Sequence, residues 1–400
     1  MVGVAKAFQH FVETKFHFSA WAAKQRDGAR RRPQVTPAFI FKALVFQSVL
    51  GLGSVLALDQ WLRSPQCPKL LPRSSQRRGS DTTLLRALSA WRYPATRQAS
   101  DALHRKLRAL GAASRTLSSG RKVTLAVVDG SCFGSMWAAA LGIAGQVWQT
   151  LDVQRYRQRG KELPAARLLM RRASQRLGRG FATHLLYDGL MAVREDFSRA
   201  QLQWGMHLVV KTTEATLEII ASARQAWRAL SESQWRAAGV EVVRGVDAER
   251  GCEYEIWAQA DIHWEGLMWP LKLARVRETP LKGPRAGQTE EFWVITTDES
   301  LRAAEMREVA HARWAIENLG FKATNAAVGS KRGYLKDAHA RVAMLLIWSI
   351  GLALLAAFEW WLTSQHDWQG WGAKKTRRWV SCLIEWNIES DEVNECGGSP

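Results

Sequence analysis

Between residues 123 and 214, apolar segments of strand length alternate with segments of helical periodicity, and their order constrains the fold more than any other feature. Three strand-like segments come first, followed by helix, strand, helix and strand. The predicted strands are "VTLAVVDGS" (123–131), "MWAAALGI", "QVWQTLDVQRY", "FATHLLYDG" (181–189) and "MHLVVKTTE" (206–214), and the predicted helices are "ELPAARLLMRRASQRLG" (162–178) and "EDFSRAQLQWG" (195–205). This order predicts a mixed α/β sheet with helices packed on it.

The sequence on either side of this core has a different character. Residues 1–120 read as amphipathic helices, with Ser80 or Asp81 as one N-cap. After one predicted helix at 215–232, the chain is β-rich up to about residue 296, and helical periodicity resumes near Ser300, the expected N-cap. We therefore predict four parts: an all-α N-terminal domain (1–120), an α/β core (121–214 and 297–362), a β-rich insertion (215–296) and a C-terminal tail (363–400).

The charge of the chain favours a polyanionic partner. The chain carries 56 Lys and Arg against 37 Asp and Glu, a net charge of +19. Residues 1–120 hold 20 basic and 5 acidic residues, so +15 of that charge lies in the first third. Such a concentration predicts binding to nucleic acid, since phosphate contacts are made by Lys and Arg.

Cysteine usage and hydropathy bear on the compartment. The five cysteines (67, 132, 252, 382 and 396) are scattered and form no C-x-x-C pair, which predicts reduced thiols and no zinc site. The N-terminus has no continuous apolar segment of the signal-peptide kind. One apolar run, "VAMLLIWSIGLALLAAF" (342–358), reads as a buried core helix in preference to a short membrane span. We expect a cytoplasmic protein without a membrane segment.

Three acidic residues stand out by their places in this pattern. Asp129 ends the first strand, Asp188 ends the fourth, and Glu317 lies in the helical stretch "RWAIENLGFK" (313–322). Taken singly, each aspartate before glycine reads as a turn residue, and Glu317 reads as an i,i+4 partner of Arg313. Brought together by a fold, they would be hard oxygen ligands suited to Mg²⁺, with Mn²⁺ as a substitute.

The order of elements matches the ribonuclease H-like arrangement, with acids on the first strand and at the end of the fourth. Moreover, "LAVVDGS", "LLYDGLMAVREDFSRAQLQWGMHLVVKTTE" and "RWAIENLGFK" resemble the three blocks of insertion-sequence DDE transposases. The closest type, called insertion-sequence-4, carries a β insertion before its catalytic glutamate. The resemblance covers roughly 120–350 and, more loosely, the helical first third.

The resemblance implies that Asp129, Asp188 and Glu317 are catalytic metal ligands, holding two Mg²⁺ ions. It also implies that Arg313 contacts DNA phosphate, and Lys322 is our candidate for a further DNA contact. The fuller family signature has a tyrosine and a lysine where this chain has Ala310 and Thr324. Lys322 and Lys331 are nearby basic residues but are off that spacing.

These observations predict a DNA transposase that cuts transposon ends and joins them to target DNA. Its expected partner is double-stranded DNA, comprising terminal inverted repeats and target, and it is expected to act as a homodimer because two ends must be joined. Two alternatives stay open: an inactive or domesticated relative that only binds DNA, and a ribonuclease H-like nuclease that cuts without joining.

Overall fold

The structure is a computed structural model, and it describes residues 4–28, 35–64, 67, 71, 80–189, 193–213, 217–331 and 336–365. Most of the predicted tail (366–400, with Cys382 and Cys396) and most of the basic loop after Cys67 lie outside these residues. The described residues fall into two compact units. The first contains residues 1–113, 130–161 and 317–400, and the second contains residues 114–129 and 162–316. The predicted domain boundaries stay predictions.

The first unit is mainly helical. Its helices are α1 (Val4–Phe16), α2 (Phe18–Ala23), α3 (Pro37–Leu50), α4 (Val55–Arg63), α5 (Asp81–Ser89), α6 (Tyr93–Ala109), α12 (Ala323–Val328) and α13 (Ala338–Gln365). As expected, Ser80 caps α5 by accepting a hydrogen bond from the Thr83 amide (3.3 Å). Two antiparallel strands, β4 (Met136–Ala144) and β5 (Trp148–Tyr156), complete the unit, together with a π-helical segment, Ile316–Lys322.

Helix α13 forms the centre of this unit. It packs on α3 and β5, and at Gly351 an added Cβ would lie only 2.1 Å from the Ser48 hydroxyl oxygen. By length and composition, the helix Ala338–Ser364 is long and apolar enough to cross a membrane. Helices α3 and α4 pass the same test only if the pair, which is bent by 108°, is counted as one span. However, 94% of the apolar window in α13 is buried inside the structure. The expectation that 342–358 is a core helix agrees with this burial.

The second unit is built on a large mixed sheet, which confirms the predicted α/β class. Its strands are β3 (Leu125–Phe133, of which Leu125–Asp129 belong to this unit), β6 (His184–Asp188), β7 (His207–Thr212), β8 (Val240–Asp247), β9 (Cys252–Ile262), β10 (Leu271–Pro280) and β11 (Glu290–Thr296). They are hydrogen-bonded in the order β3–β6–β7–β11–β10–β9–β8. The predicted β-rich insertion is therefore not a separate sheet, because β11 pairs with β7 and continues the core sheet. A two-stranded ribbon, β1 (Arg115–Thr116) and β2 (Lys122–Val123), lies outside it.

The helices of the second unit are α7 (Leu163–Leu177), α8 (Arg194–Arg199, continued by a π-helical turn, Ala200–Trp204), α9 (Glu218–Arg228), α10 (Glu232–Ala237) and α11 (Ala303–Ala312). The single helix predicted for 215–232 was wrong in extent. Ser231 begins a new helix, because its amide and the Gln234 side chain form a capping box (2.8 Å). Helix α11 packs on the sheet through contacts with β7, β8, β9, β10 and β11.

The prediction that Ser300 caps the last helix of the core was also wrong. Helix α11 begins at Ala303 with Arg302 as its N-cap residue. The Ser300 amide and hydroxyl instead donate hydrogen bonds to Asp298 (3.0 and 2.5 Å), a carboxylate that is almost fully buried. His184 Nε2 and Arg121 Nη2 also lie 2.9 and 2.8 Å from Asp298 Oδ2. A buried carboxylate needs such partners, and it recruits Ser300 away from the helix.

This buried cluster predicts that the protein loses stability in acid. Burial lowers the pKa of His184 below its ordinary 6.5, so the unfolded chain takes up that proton first as the pH falls. Burial alone would raise the pKa of Asp298, but hydrogen bonds from His184 and Ser300 lower it well below 3.8. The stability that Asp298 contributes is therefore fully present above its ordinary pKa of 3.8, which applies to the unfolded chain. It is lost as the pH falls from there toward the lower pKa of the folded protein. We expect the free energy of unfolding in urea to fall by more than about 1 kcal/mol between pH 7 and pH 3.

The control for this prediction is a double variant, His184→Gln with Asp298→Asn, which keeps polar side chains but removes both titrating groups. Its unfolding free energy should depend less steeply on pH than that of the natural chain. Equal pH dependence in the two proteins would contradict the role assigned to the cluster.

Candidate active site

Two of the three predicted acids lie side by side on the central strands of the second unit. Strand β3 runs parallel to β6, with Ala126 opposite Leu185 and Val127 opposite Leu186. Continued for two residues, the same register aligns Asp129 with Asp188. Neighbouring strands are about 4.8 Å apart, and aligned residues project to the same face of a sheet. Both carboxylates are half-buried, so the sheet presents them as a pair at one place.

Arg313 contacts one of these two acids, Asp129. It follows α11 directly, and its Nη1 lies 3.1 Å from Asp129 Oδ2. The side chains of Arg313 and Asp129 are 10% and 17% exposed, so this ion pair is shielded from bulk water. The resemblance implied that Arg313 contacts DNA phosphate, and in the structure its guanidinium is paired with Asp129.

A lysine that the sequence analysis missed lies on the next strand of the sheet, beside the strand that carries Asp188. Strand β7 runs parallel to β6, and its register places Lys211 opposite Asp188. The Lys211 ammonium lies 3.8 Å from the ring centroid of Phe292 and 4.3 Å from that of Trp314. Such cation–π contacts stabilise a charge that has lost part of its hydration. A charged side chain within the apolar run "HLVVK" was the signal that could have identified it.

Burial determines how Lys211 titrates. Its removal from water lowers the pKa of Lys211 to about 8, and the nearby positive charges of Arg313 and Arg250 act in the same direction. The negative charge of Glu278 opposes them. Asp129, Asp188, Lys211 and Arg313 thus form a compact set of two acids and two cations, which we call the acid–base row.

The other predicted site residues belong to the first unit. Glu317 is half-buried within the π-helical segment Ile316–Lys322. Lys322 is exposed, and its ammonium donates a hydrogen bond to Asn318 Oδ1 (2.9 Å). Phe321 is buried and packs edge-on against Phe133, with ring centroids 5.6 Å apart.

The positions that depart from the family signature are filled by buried residues. Ala310 is 1% exposed and Thr324 is 5% exposed. The Thr324 hydroxyl donates to the Gly320 carbonyl (2.7 Å), a bond within its own helical segment. Neither residue is available to contact a phosphate, so a family-like contact from these two positions is absent. Lys331 is exposed, and its amide bonds Asn325 Oδ1 (2.9 Å).

The donor chemistry of Asp129 and Asp188 fits a divalent cation. Mg²⁺ is held in many proteins by one or two carboxylates, with water and substrate phosphate completing its coordination. Two aspartates aligned on adjacent strands provide such a pair of oxygen ligands on a rigid support. Across the part of the chain that the structure describes, no three His, Cys, Asp or Glu side chains are grouped to hold a metal. The fit therefore rests on the two aspartates.

Comparison with known proteins gave no relative: no model of a protein family matches the chain, and no curated protein matches it.

Proposed function

We propose that this protein is a metal-dependent DNA transposase of the DDE class, which cuts transposon ends and joins them to target DNA. The observation that carries the proposal is the parallel pairing of β3 with β6, whose register, continued by two residues, aligns Asp129 with Asp188. These are the two acids that the resemblance to insertion-sequence transposases singles out. Carboxylates on adjacent strands provide oxygen ligands from a rigid support, which suits a divalent cation.

The arrangement of the core supports a ribonuclease H-like catalytic domain as part of this proposal. Along the chain, β3, β4 and β5 are followed by α7, β6, α8 and β7, which is the order expected for that fold. Within the second unit, the parallel neighbours β3, β6 and β7 bring the ends of separate strands to one place. Catalytic acids distant in sequence can therefore meet without any local motif joining them.

In this proposal Asp129 and Asp188 hold Mg²⁺, or Mn²⁺ in its place, and Glu317 is the third ligand that the resemblance implies. The bound metal would supply Lewis-acid stabilisation of charge on the phosphodiester oxygens. Two ions are expected for cleavage and strand transfer. Arg313 holds Asp129 in place through their ion pair, and its guanidinium is a planar donor suited to phosphate.

Lys211 has a complementary part in this scheme. Its ammonium is fixed between two aromatic rings, and its strand position is opposite Asp188, so the strand next to Asp188 carries a positive charge. A phosphodiester brought to Asp188 would be attracted to that charge. Together, Lys211 and Arg313 offset the repulsion between the two carboxylates and the anionic substrate.

The helical first third, with its charge of +15, is the proposed binding region for the terminal inverted repeats. Lys322 is retained as a proposed DNA contact, since it is exposed near Glu317 in the sequence. Joining two ends calls for a homodimer on DNA, and the proposed location is the cytoplasm, at the nucleoid when bound.

The test uses the purified full chain and a plasmid that carries the gene's own genomic flanks. We expect cuts at the flanks that require Mg²⁺ or Mn²⁺ and stop with EDTA, followed by joined products in a second plasmid. Cuts without joined products would replace the proposal with a nuclease. Binding to the flanks without any metal-dependent cut would replace it with a DNA-binding relative.

A further inference from the structure

Helix α7 carries a concentration of arginine that the proposed active site does not explain. Residues 163–180, "LPAARLLMRRASQRLGRG", contain five arginines and no lysine, aspartate or glutamate. Arg167 and Arg171, and likewise Arg172 and Arg176, are four residues apart. Like charges at this spacing are neighbours on a helix and cost a few tenths of a kcal/mol per pair. Helix stability alone therefore disfavours this sequence.

The structure exposes two of these arginines, Arg171 on α7 and Arg179 just beyond its end. The helix buries Ala166, Leu169, Met170 and Ala173, whereas Arg171 is exposed. Arg172 and Arg176 are half-buried beside it, and guanidinium nitrogens of both are buried, so these two side chains belong to the support beneath the surface. Beyond the helix end, Arg179 is exposed and its Nη2 donates to the Gln201 carbonyl (3.3 Å).

The nearby acid Asp196 lies beneath this surface and forms ion pairs with two arginines. Its carboxylate is fully buried and receives Arg167 Nε at 2.9 Å and Arg199 Nη1 at 3.0 Å. Two guanidinium groups share one carboxylate, so this contact leaves a net positive charge. It also fixes α7 relative to α8, which gives the arginine face a rigid support.

We infer that the arginine face of α7, formed by the exposed Arg171 and Arg179 above the half-buried Arg172 and Arg176, is a second binding surface for the phosphate backbone of duplex DNA. Arginine is suited to this because its planar fork donates two parallel hydrogen bonds to one phosphate. The surface belongs to a different part of the second unit from the acid–base row, and it depends on the proposed function only for the choice of DNA as the polyanion.

An anionic membrane is the other large polyanion that a basic helix can bind, and α7 lacks what such binding needs. A helix that lies in a membrane interface inserts its apolar face between the lipids. The apolar face of α7 is already buried inside the protein. The exposed positions that remain along the helix are Pro164, Arg171 and Gln175, none of which is a large apolar anchor.

The test measures binding of the full chain to a labelled mixed-sequence DNA duplex in EDTA over a range of salt concentrations. The first variant, Arg171→Gln with Arg179→Gln, changes only exposed side chains. Each lost phosphate contact lowers the slope of log K against log salt by about 0.9. If affinity at 1 M salt is unchanged, that difference in slope raises Kd at 0.15 M salt by roughly fivefold. We expect a slope lower by about 1.8 and a Kd raised by roughly thirtyfold.

Two further variants separate the contact from general effects of charge. Arg228→Gln with Arg236→Gln removes the same charge from exposed positions on α9 and α10, and it should leave Kd and slope nearly unchanged. Arg171→Lys with Arg179→Lys keeps the charges and should recover most of the slope. Thermal unfolding of each variant reports folding, which we expect to be unaffected because two exposed charges are removed.

Equal loss of affinity in the α7 and control variants would overturn the inference, as would an unchanged slope in the α7 variant. It would also be overturned if the α7 variant lost binding to phosphatidylserine vesicles while keeping its affinity for DNA. If the natural chain makes metal-dependent cuts and the α7 variant binds DNA normally, this inference is wrong and the proposed function still stands. A natural chain that neither binds nor cuts DNA refutes the proposed function.

Discussion

Replacing Asp188 with asparagine is expected to lower metal-dependent DNA cleavage by roughly a thousandfold or more, while DNA binding in EDTA is retained. A metal that stabilises charge on a phosphodiester contributes several kcal/mol, and each 1.4 kcal/mol corresponds to about tenfold in rate. Asparagine keeps the shape of the side chain but removes the negative charge that holds the cation. Asp129→Asn is expected to act in the same way, and it also removes the acid partner of Arg313.

The matched control is Asp261→Asn, which makes the same chemical change on an exposed residue of the second unit. Asp261 has a left-handed φ of 58°, a conformation that asparagine tolerates equally well, so the fold should be unaffected. Cleavage should be measured from initial rates with Mg²⁺ and Mn²⁺, and binding by anisotropy. If Asp188→Asn cleaves as fast as the control, Asp188 is not a metal ligand and the mechanism is wrong.

Glu317→Gln tests the third ligand separately. The resemblance implies the same large loss of cleavage, since glutamine cannot supply a charged oxygen. Full activity in this variant, beside inactive Asp188→Asn, would leave a two-aspartate site and remove Glu317 from the mechanism.

Replacing Phe358 with alanine is expected to be among the most destabilising single changes in the first unit, by about 3–5 kcal/mol. Phe358 is fully buried in α13, and its ring lies 5.5 Å from that of Phe8 and 5.2 Å from that of Phe11. Its loss would remove apolar burial and leave a cavity between α1 and α13. The measurement is the free energy of urea unfolding, followed by tryptophan fluorescence.

The control for this change is Leu56→Ala, because Leu56 is 62% exposed on α4 of the same unit. Surface substitutions of this kind stay within about 0.5 kcal/mol of the natural chain. A Phe358→Ala protein as stable as Leu56→Ala would contradict burial of α13. Partition of the natural chain into detergent-extracted membranes would instead favour a spanning helix.

Local patterns of apolar residues in the sequence predicted many of the helices and strands. The strands and helices from 123 to 214 lie where their apolar periodicity predicted them, because residues that alternate or repeat at 3.6 must bury one face. The apolar run at 342–358 was assigned to the core because its 17 residues are at the lower limit of length for a membrane span. The errors came from short-range hydrogen bonds that apolar periodicity does not show: Ser300 bonds Asp298 instead of capping α11. Ser231 likewise divides the helix predicted at 215–232 through its own capping box.

The candidate site also has features that the sequence predicted and features that only the tertiary structure revealed. The sequence by itself determined the identity of Asp129, Asp188 and Arg313, because an acid at a strand end and an arginine one turn before a glutamate are visible in the letters. Only the tertiary structure decided that β3 and β6 align those acids, that Arg313 contacts Asp129, and that Lys211 stands opposite Asp188. Strand neighbours and register are set by long-range pairing, which sequence spacing does not encode. The β-rich segment shows the same principle, since its strands were predictable but their extension of the core sheet through β11 and β7 was not.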